Sequence, residues 1–358
     1  MKDRDKGTAL KRKAFRVTRQ RTLGISALAA VAIMALGCEP KPPPAPPPPP
    51  NRIDETMRTL GAEGLRLEGA TVVAQISPAC LTRSRFYRLL ADALGDSGDG
   101  SSQAPHEALR ERYGIDLSEL EAVVFTVDPE RNAFVLAAAT RGPVDRDAWL
   151  VALPKMRGGG VIERFDTYGG VELYAPPREY AGAVAFPGKQ IAAAGSTPEL
   201  MKAIDAKNTG KSIAYHPVIA RLLASAPARA GIVVAAVPTP KLMEEVSVAV
   251  GGPSFTRISE KAEGILVAAT ARETLEIEAR IFMRSPADAE AAREEARSAL
   301  RDLERSLGRA GKLDEARPLV KLVDDVRAGG TGKVVELGVT VPPGVIAPLV
   351  GLATSPER

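Results

Sequence analysis

Two distant stretches of this chain read alike. Val72–Leu81 (VVAQISPACL) and Val233–Leu242 (VVAAVPTPKL) share four of ten residues. Each is a Val- and Ala-rich run of strand type that meets a proline turn and a helix start. Two more blocks follow each of them in the same order. Ala122–Val127 and Phe134–Thr140 are matched by Gly264–Thr270 and Leu275–Met283, and each pair leads into a helix opened by proline or acidic residues. Ala181–Leu200, with Gly188-Lys189-Gln190-Ile191, is matched by Val326–Val345, with Gly332-Lys333-Val334-Val335. Three matched blocks in one order predict an internal duplication, with residues 52–228 as a first α+β repeat and 229–358 as a second.

Local signals fix the kind of element. Val161–Tyr168 alternates, Gly169-Gly170 follows, and Val171–Tyr174 resumes the alternation. Two glycines between alternating runs predict a hairpin with a type I′ turn, hence antiparallel pairing. Ser196-Thr197-Pro198-Glu199 and Ser285-Pro286-Ala287-Asp288 each place a hydroxyl cap, a first-turn proline and a carboxylate at a helix start. The second of these helices, over about Pro286–Leu307, carries Ala289, Ala292, Ala296, Leu300, Leu303 and Leu307 on one stripe, which predicts a core-facing side. Gly95–Ala104 (GDSGDGSSQA) lacks large apolar residues and predicts a loop. The expected fold is α+β: two similar halves, each a mostly antiparallel sheet with helices packed on one face.

Ahead of the first repeat lies a leader. Arg12, Lys13, Arg16, Arg19 and Arg21 precede an uncharged run from Thr22 to Gly37. As a helix that run would span about 24 Å, short of a bilayer core of about 30 Å. A basic start, a short apolar run and a small residue at its end predict a cleaved signal peptide over residues 1–37. Met34-Ala35-Leu36-Gly37-Cys38 resembles the lipobox of bacterial lipoproteins. That resemblance implies cleavage between Gly37 and Cys38, with acyl chains on Cys38 anchoring the protein to a membrane. By the sorting rule of such proteins, Glu39 in place of Asp implies the outer membrane. Residues 38–51 form the lipidated Cys and a proline-rich spacer, EPKPPPAPPPPPN after the Cys, which as polyproline II would reach roughly 40 Å.

The leader also distorts the charge. The whole chain is at +4, but residues 1–37 hold nine Lys or Arg and two acids, so the chain from Cys38 onward carries a net charge of −3. Together with an aromatic content of 4%, which leaves few stacking platforms, this argues against a nucleic-acid partner. Cysteine usage sets a second limit. With Cys38 given to lipid, only Cys80 remains, so no intrachain disulfide can form and stability rests on packing. Cys80 itself, between a strand end and a helix start, is expected to be a buried packing residue.

The motifs of catalysis fail on inspection. Gly210-Lys211-Ser212 has the tail of a phosphate loop but Asp205 where its first glycine belongs, and Gly330-Thr331-Gly332-Lys333 has Arg327 there and Val334 at its end. The chain has two histidines, His106 and His216; the first lacks a second histidine in reach, and the second precedes Pro217 at a helix start, where capping is the default. Asp96 and Asp99 lack calcium-loop spacing. Asp145 with Asp147 and Asp324 with Asp325 are expected to cap or to be solvated. No catalytic, cofactor-binding or metal-binding residue is nominated, and no cofactor is expected.

The entry at Val72–Leu90, the hairpin Tyr168–Tyr174 and the start Gly195–Glu199 are similar to those of a group of uncharacterised secreted and lipid-anchored bacterial proteins of unknown function. That similarity spans about Leu65–Leu352 and implies no activity. The functional expectation is a membrane-anchored envelope lipoprotein acting as a noncatalytic binding or structural module. Its partner is an unknown envelope protein, peptide or glycan, met through a sheet face or a groove between the halves. The alternative is a small-molecule carrier or an enzyme whose site the spacing of residues does not reveal.

Overall fold

Alternating and continuous apolar runs separated by tight turns give strands, and here they give one sheet. The computed structural model describes residues 52–89, 116–156, 161–177, 181–244, 260–309, 322–323 and 325–345. The first helix is α1 (Arg52–Thr59), followed by β1 (Val72–Ile76), α2 (Pro78–Thr82), β2 (Leu120–Asp128), β3 (Ala133–Thr140) and α3 (Arg146–Met156). Next come β4 (Glu163–Tyr168), β5 (Val171–Ala175), β6 (Gly182–Gly188), β7 (Ile191–Ser196), α4 (Thr197–Asn208) and α5 (Pro217–Ala224). Beyond them lie β8 (Ile232–Ala236), β9 (Ala262–Ala271), β10 (Leu275–Met283), α6 (Pro286–Arg309), β11 (Arg327–Gly329) and β12 (Val334–Val341).

The twelve strands pair in the order β11-β12-β10-β9-β8-β1-β2-β3-β7-β6-β5-β4, and every neighbouring pair is antiparallel. The expectation of a separate sheet in each half is therefore corrected: the α+β class holds, but the sheet is continuous. Its seam is β1 against β8, with Val72 opposite Ala236 and Ile76 opposite Ile232. Both strands are short and almost wholly apolar, VVAQI and IVVAA. Left apart, each would be a bare apolar edge open to any other chain, and pairing removes both. The two outer edges are blunted instead. β4 (ERFDTY) is charged, exposed and bulged between Arg164 and Asp166, and β11 is three residues long.

Residues directly opposite in an antiparallel pair point to the same side, so the registers divide the sheet into a front and a back. On the front of the N-terminal half, Val73, Ala122, Val124, Val135, Ala137, Ala139 and Ile191 form a core with Ile53 and Met57 of α1, Leu65, Leu67, and Ile219 and Leu222 of α5. Farther out, Leu200 and Ile204 of α4 cover Leu173, Ala183, Ala185 and Ala193. On the C-terminal half the cover changes sides. There α6 lays Ala289, Ala292 and Ala296 on the back, against Ile277, Ala279, Ile281, Val335, Leu337 and Val339, with Leu300 packed alongside. The side chains of Leu303 and Leu307 lie outside the described residues.

Small residues set how closely the layers approach. At Gly264 in β9 a Cβ would come within 2.9 Å of both Leu222 Cδ1 and Val218 Cγ1, so α5 can rest on the sheet only because that position is bare. Gly169 and Gly170, at φ of 56° and 79°, make the two-residue turn between β4 and β5, as the sequence predicts. Both proposed helix starts are present, but they are capped differently. Ser285 Oγ accepts the Asp288 N–H at 3.1 Å and donates to Asp288 Oδ2 at 2.6 Å. Ser196 Oγ does not cap α4; it accepts the Phe134 N–H at 3.2 Å across the sheet.

Candidate interaction surface

Gly37, Cys38, His106, Asp96, Asp99, Asp324 and the loop Gly95–Ala104 lie outside the described residues. Cys80 is exposed, against the expectation of a buried residue. The reason is the brevity of α2, which buries only its first two residues, Pro78 and Ala79, at the sheet end and turns the next one outward. His216 is the N-cap of α5, its Nδ1 accepting the Val218 N–H at 3.3 Å. Asp145 caps α3, with Oδ1 accepting the Ala148 N–H at 3.0 Å. Gly210 and Lys211 close the end of α4 as a turn, with N–H groups donated to Lys207 O and Ala206 O. Cys80, Asp145, Gly210, Lys211 and His216 thus each serve a separate local role, and the structure brings none of these five together into a common site.

Two polar clusters that sequence spacing does not reveal sit on the N-terminal half. In the first, Asp54 Oδ1 accepts from Arg66 Nη2 at 2.6 Å and from the Tyr215 hydroxyl at 3.0 Å, while Gln75 Nε2 donates to Tyr215 Oη at 3.0 Å. The Arg66 guanidinium stacks 4.2 Å from the centre of the Tyr215 ring, and its side chain is 7% exposed. Burial, and after it the Asp54 charge, push the Tyr215 pKa upward, so the phenol stays a proton donor. Four residues from α1, the following loop, β1 and the approach to α5 meet here. These bonds join α1 to β1 and to the approach to α5, so the cluster pins α1 to the sheet.

The second cluster lies near the β4 edge. Glu172 accepts from the Tyr174 hydroxyl at 2.7 Å, from Arg164 Nη1 at 2.8 Å and from Arg146 Nη2 at 2.6 Å. These bonds, the tyrosine's first, pull the Glu172 pKa down to about 2. Arg146 also lies 5.4 Å from the Tyr174 ring centre and 5.8 Å from that of Phe186, which ties the first turn of α3 to the back of the sheet.

Between that tie and the seam, the back of the N-terminal half is apolar across five strands. It carries Val72 and Ile76 of β1, Val123, Phe125 and Val127 of β2, Phe134 and Leu136 of β3, Ala194 of β7, and Val184 and Phe186 of β6, all half-buried. Phe125 and Phe134 pack at 5.9 Å between ring centres. None of these side chains belongs to the three core clusters of the described residues. At the usual strand spacing and rise, five strands by five residues make a plane of roughly 24 by 17 Å. These side chains are half-buried, and Ala74, Ala138 and Ala192 on the same face are fully buried, so this is an apolar layer of the sheet and not an open patch. The sequence signal for it is apolar residues at both parities of β2 and β3, which describes strands with no watery side.

A cavity of about 290 Å³ opens between α6 and the ends of β9 and β10, lined by Glu260, Lys261, Met283, Asp288, Ala291 and Ala292. Asp288 there is already engaged by the Ser285 cap. Among the described residues no three His, Cys, Asp or Glu side chains are placed to hold a metal ion, and no helix is long and apolar enough to cross a membrane.

No family model matches the chain, and no curated protein matches it. Among solved structures it is similar to TP0453, a Treponema protein. Crystal form I of that protein aligns at a TM-score of 0.41 and 11% identity over 83% of this chain and 98% of the other. Form III aligns at 0.45 and 11% identity over 81% and 98%. At that distance the likeness carries neither fold nor function across.

Proposed function

We propose that the protein is an envelope lipoprotein, cut between Gly37 and Cys38, acylated on Cys38 and held at the outer membrane, whose folded part is a noncatalytic binding or structural module. The anchor rests on Cys38, which closes a short uncharged run behind five basic residues. The binding role rests on one observation, the apolar back of β1, β2, β3, β7 and β6. A face of Val, Leu and Phe side chains fits an apolar protein or peptide surface; a glycan would need polar groups that it does not offer.

The module is further proposed to be an internal duplication, with residues 52–228 and 229–358 as its repeats. Strand order supports this. Outward from the seam, β1-β2-β3-β7-β6 on one side corresponds to β8-β9-β10-β12-β11 on the other, and the matched sequence blocks fall on corresponding strands.

The anchor is tested by expressing the full chain beside a Cys38→Ser variant in a bacterium that processes lipoproteins. Wild type is expected in the detergent phase with an acylated N-terminal cysteine by mass spectrometry, and the variant uncut and unacylated. An unmodified N-terminus in wild-type material released without detergent would overturn the anchor. The binding role is tested separately, by a photo-crosslinking residue at Val123. Adducts expected there should be absent when the same residue replaces Glu278 on the opposite face; equal labelling at both positions would reject the face.

A further inference from the structure

We draw no further inference here: the strongest candidate, the apolar back of β1, β2, β3, β7 and β6 carrying Phe125, Phe134 and Phe186, belongs to the surface already described, and nothing in the structure shows what covers it.

Discussion

The two halves of the sheet bury one face each and treat the other face in opposite ways. In the C-terminal half β10 reads LEIEARIFM and β12 reads VVELGVTV. Their back-facing residues, Ile277, Ala279, Ile281, Val335, Leu337 and Val339, lie under α6; their front-facing ones are Glu276, Glu278, Arg280, Glu336 and Thr340. Across β10 and β12 that half is mostly apolar inside and charged outside, whereas nearer the seam the front of β8 and β9, with Val233, Ala235 and Leu266, is buried beneath α5. In the N-terminal half β2 (LEAVVFTVD) and β3 (AFVLAAAT) bury one parity under α1 and α5, and their other parity is again apolar. Both halves alternate deeply buried positions with less buried ones, the latter including exposed Glu278 in β10 and half-buried Phe134 and Leu136 in β3. A strand's period of two therefore reports its geometry, while the residues on the less buried side report whether that side meets water or another surface.

The sharpest way to break this contrast is to put a charge on each back face. Val335→Asp places a carboxylate in a site with no exposure and should cost about 4 kcal/mol or more, enough to unfold a marginally stable domain. Phe125→Asp, on a half-buried site, should cost on the order of 1–2 kcal/mol and leave a cooperative transition. Denaturant melts of both variants decide the matter: equal losses would mean that the N-terminal back is ordinary core. A somewhat smaller loss is expected at the pin of α1. Asp54→Ala strands the Arg66 charge, 7% exposed, and should cost about 3 kcal/mol. Adding Arg66→Met to that variant should recover part of the loss, and no recovery would mean that packing of α1, not the ion pair, carries its docking.

Much of this architecture is legible from short-range pattern. The Gly169-Gly170 turn, the cap at Ser285, the strand pair Gly264–Thr270 with Leu275–Met283, and the buried Ala289, Ala292 and Ala296 stripe are all local, each fixed by residues within a few positions. The single sheet is not legible, because the β1 and β8 pairing joins residues far apart and depends only on two edges lacking protection. Nor are the polar clusters. Asp54, Arg66, Gln75 and Tyr215 become neighbours only after three elements have packed, and no spacing rule links them. Cys80 departs from its sequence pattern for a related reason: residue type and local pattern suggest burial, whereas exposure is decided by α2 ending after one turn at the sheet margin.

A pH titration sharpens the contrast at the outer strands, where charge is spent on holding α3 rather than on facing water. Glu172 has a folded pKa of about 2 against an ordinary 4.5. The folded carboxylate thus resists protonation more than the unfolded one, so its contribution is complete above about pH 4.5 and is lost as the pH falls toward 2. Amide exchange in β5 and at the start of α3 should rise over that window in wild type and should already be raised, without the same pH dependence, in Glu172→Gln. An identical acid response in the variant would assign the effect to other carboxylates.

The smallest effect separates two serines that look alike in sequence. Ser285 satisfies the Asp288 N–H at the start of α6, so Ser285→Ala should cost about 1 kcal/mol and speed exchange in the first turn of that helix. Ser196 occupies the same place before α4, yet its hydroxyl accepts the Phe134 N–H in β3. Ser196→Ala should therefore speed exchange at Phe134 and leave the first turn of α4 unchanged. If that first turn loosens instead, Ser196 caps its own helix in solution, and the β7 to β3 contact is not what anchors the N-terminal half's strands beneath α4.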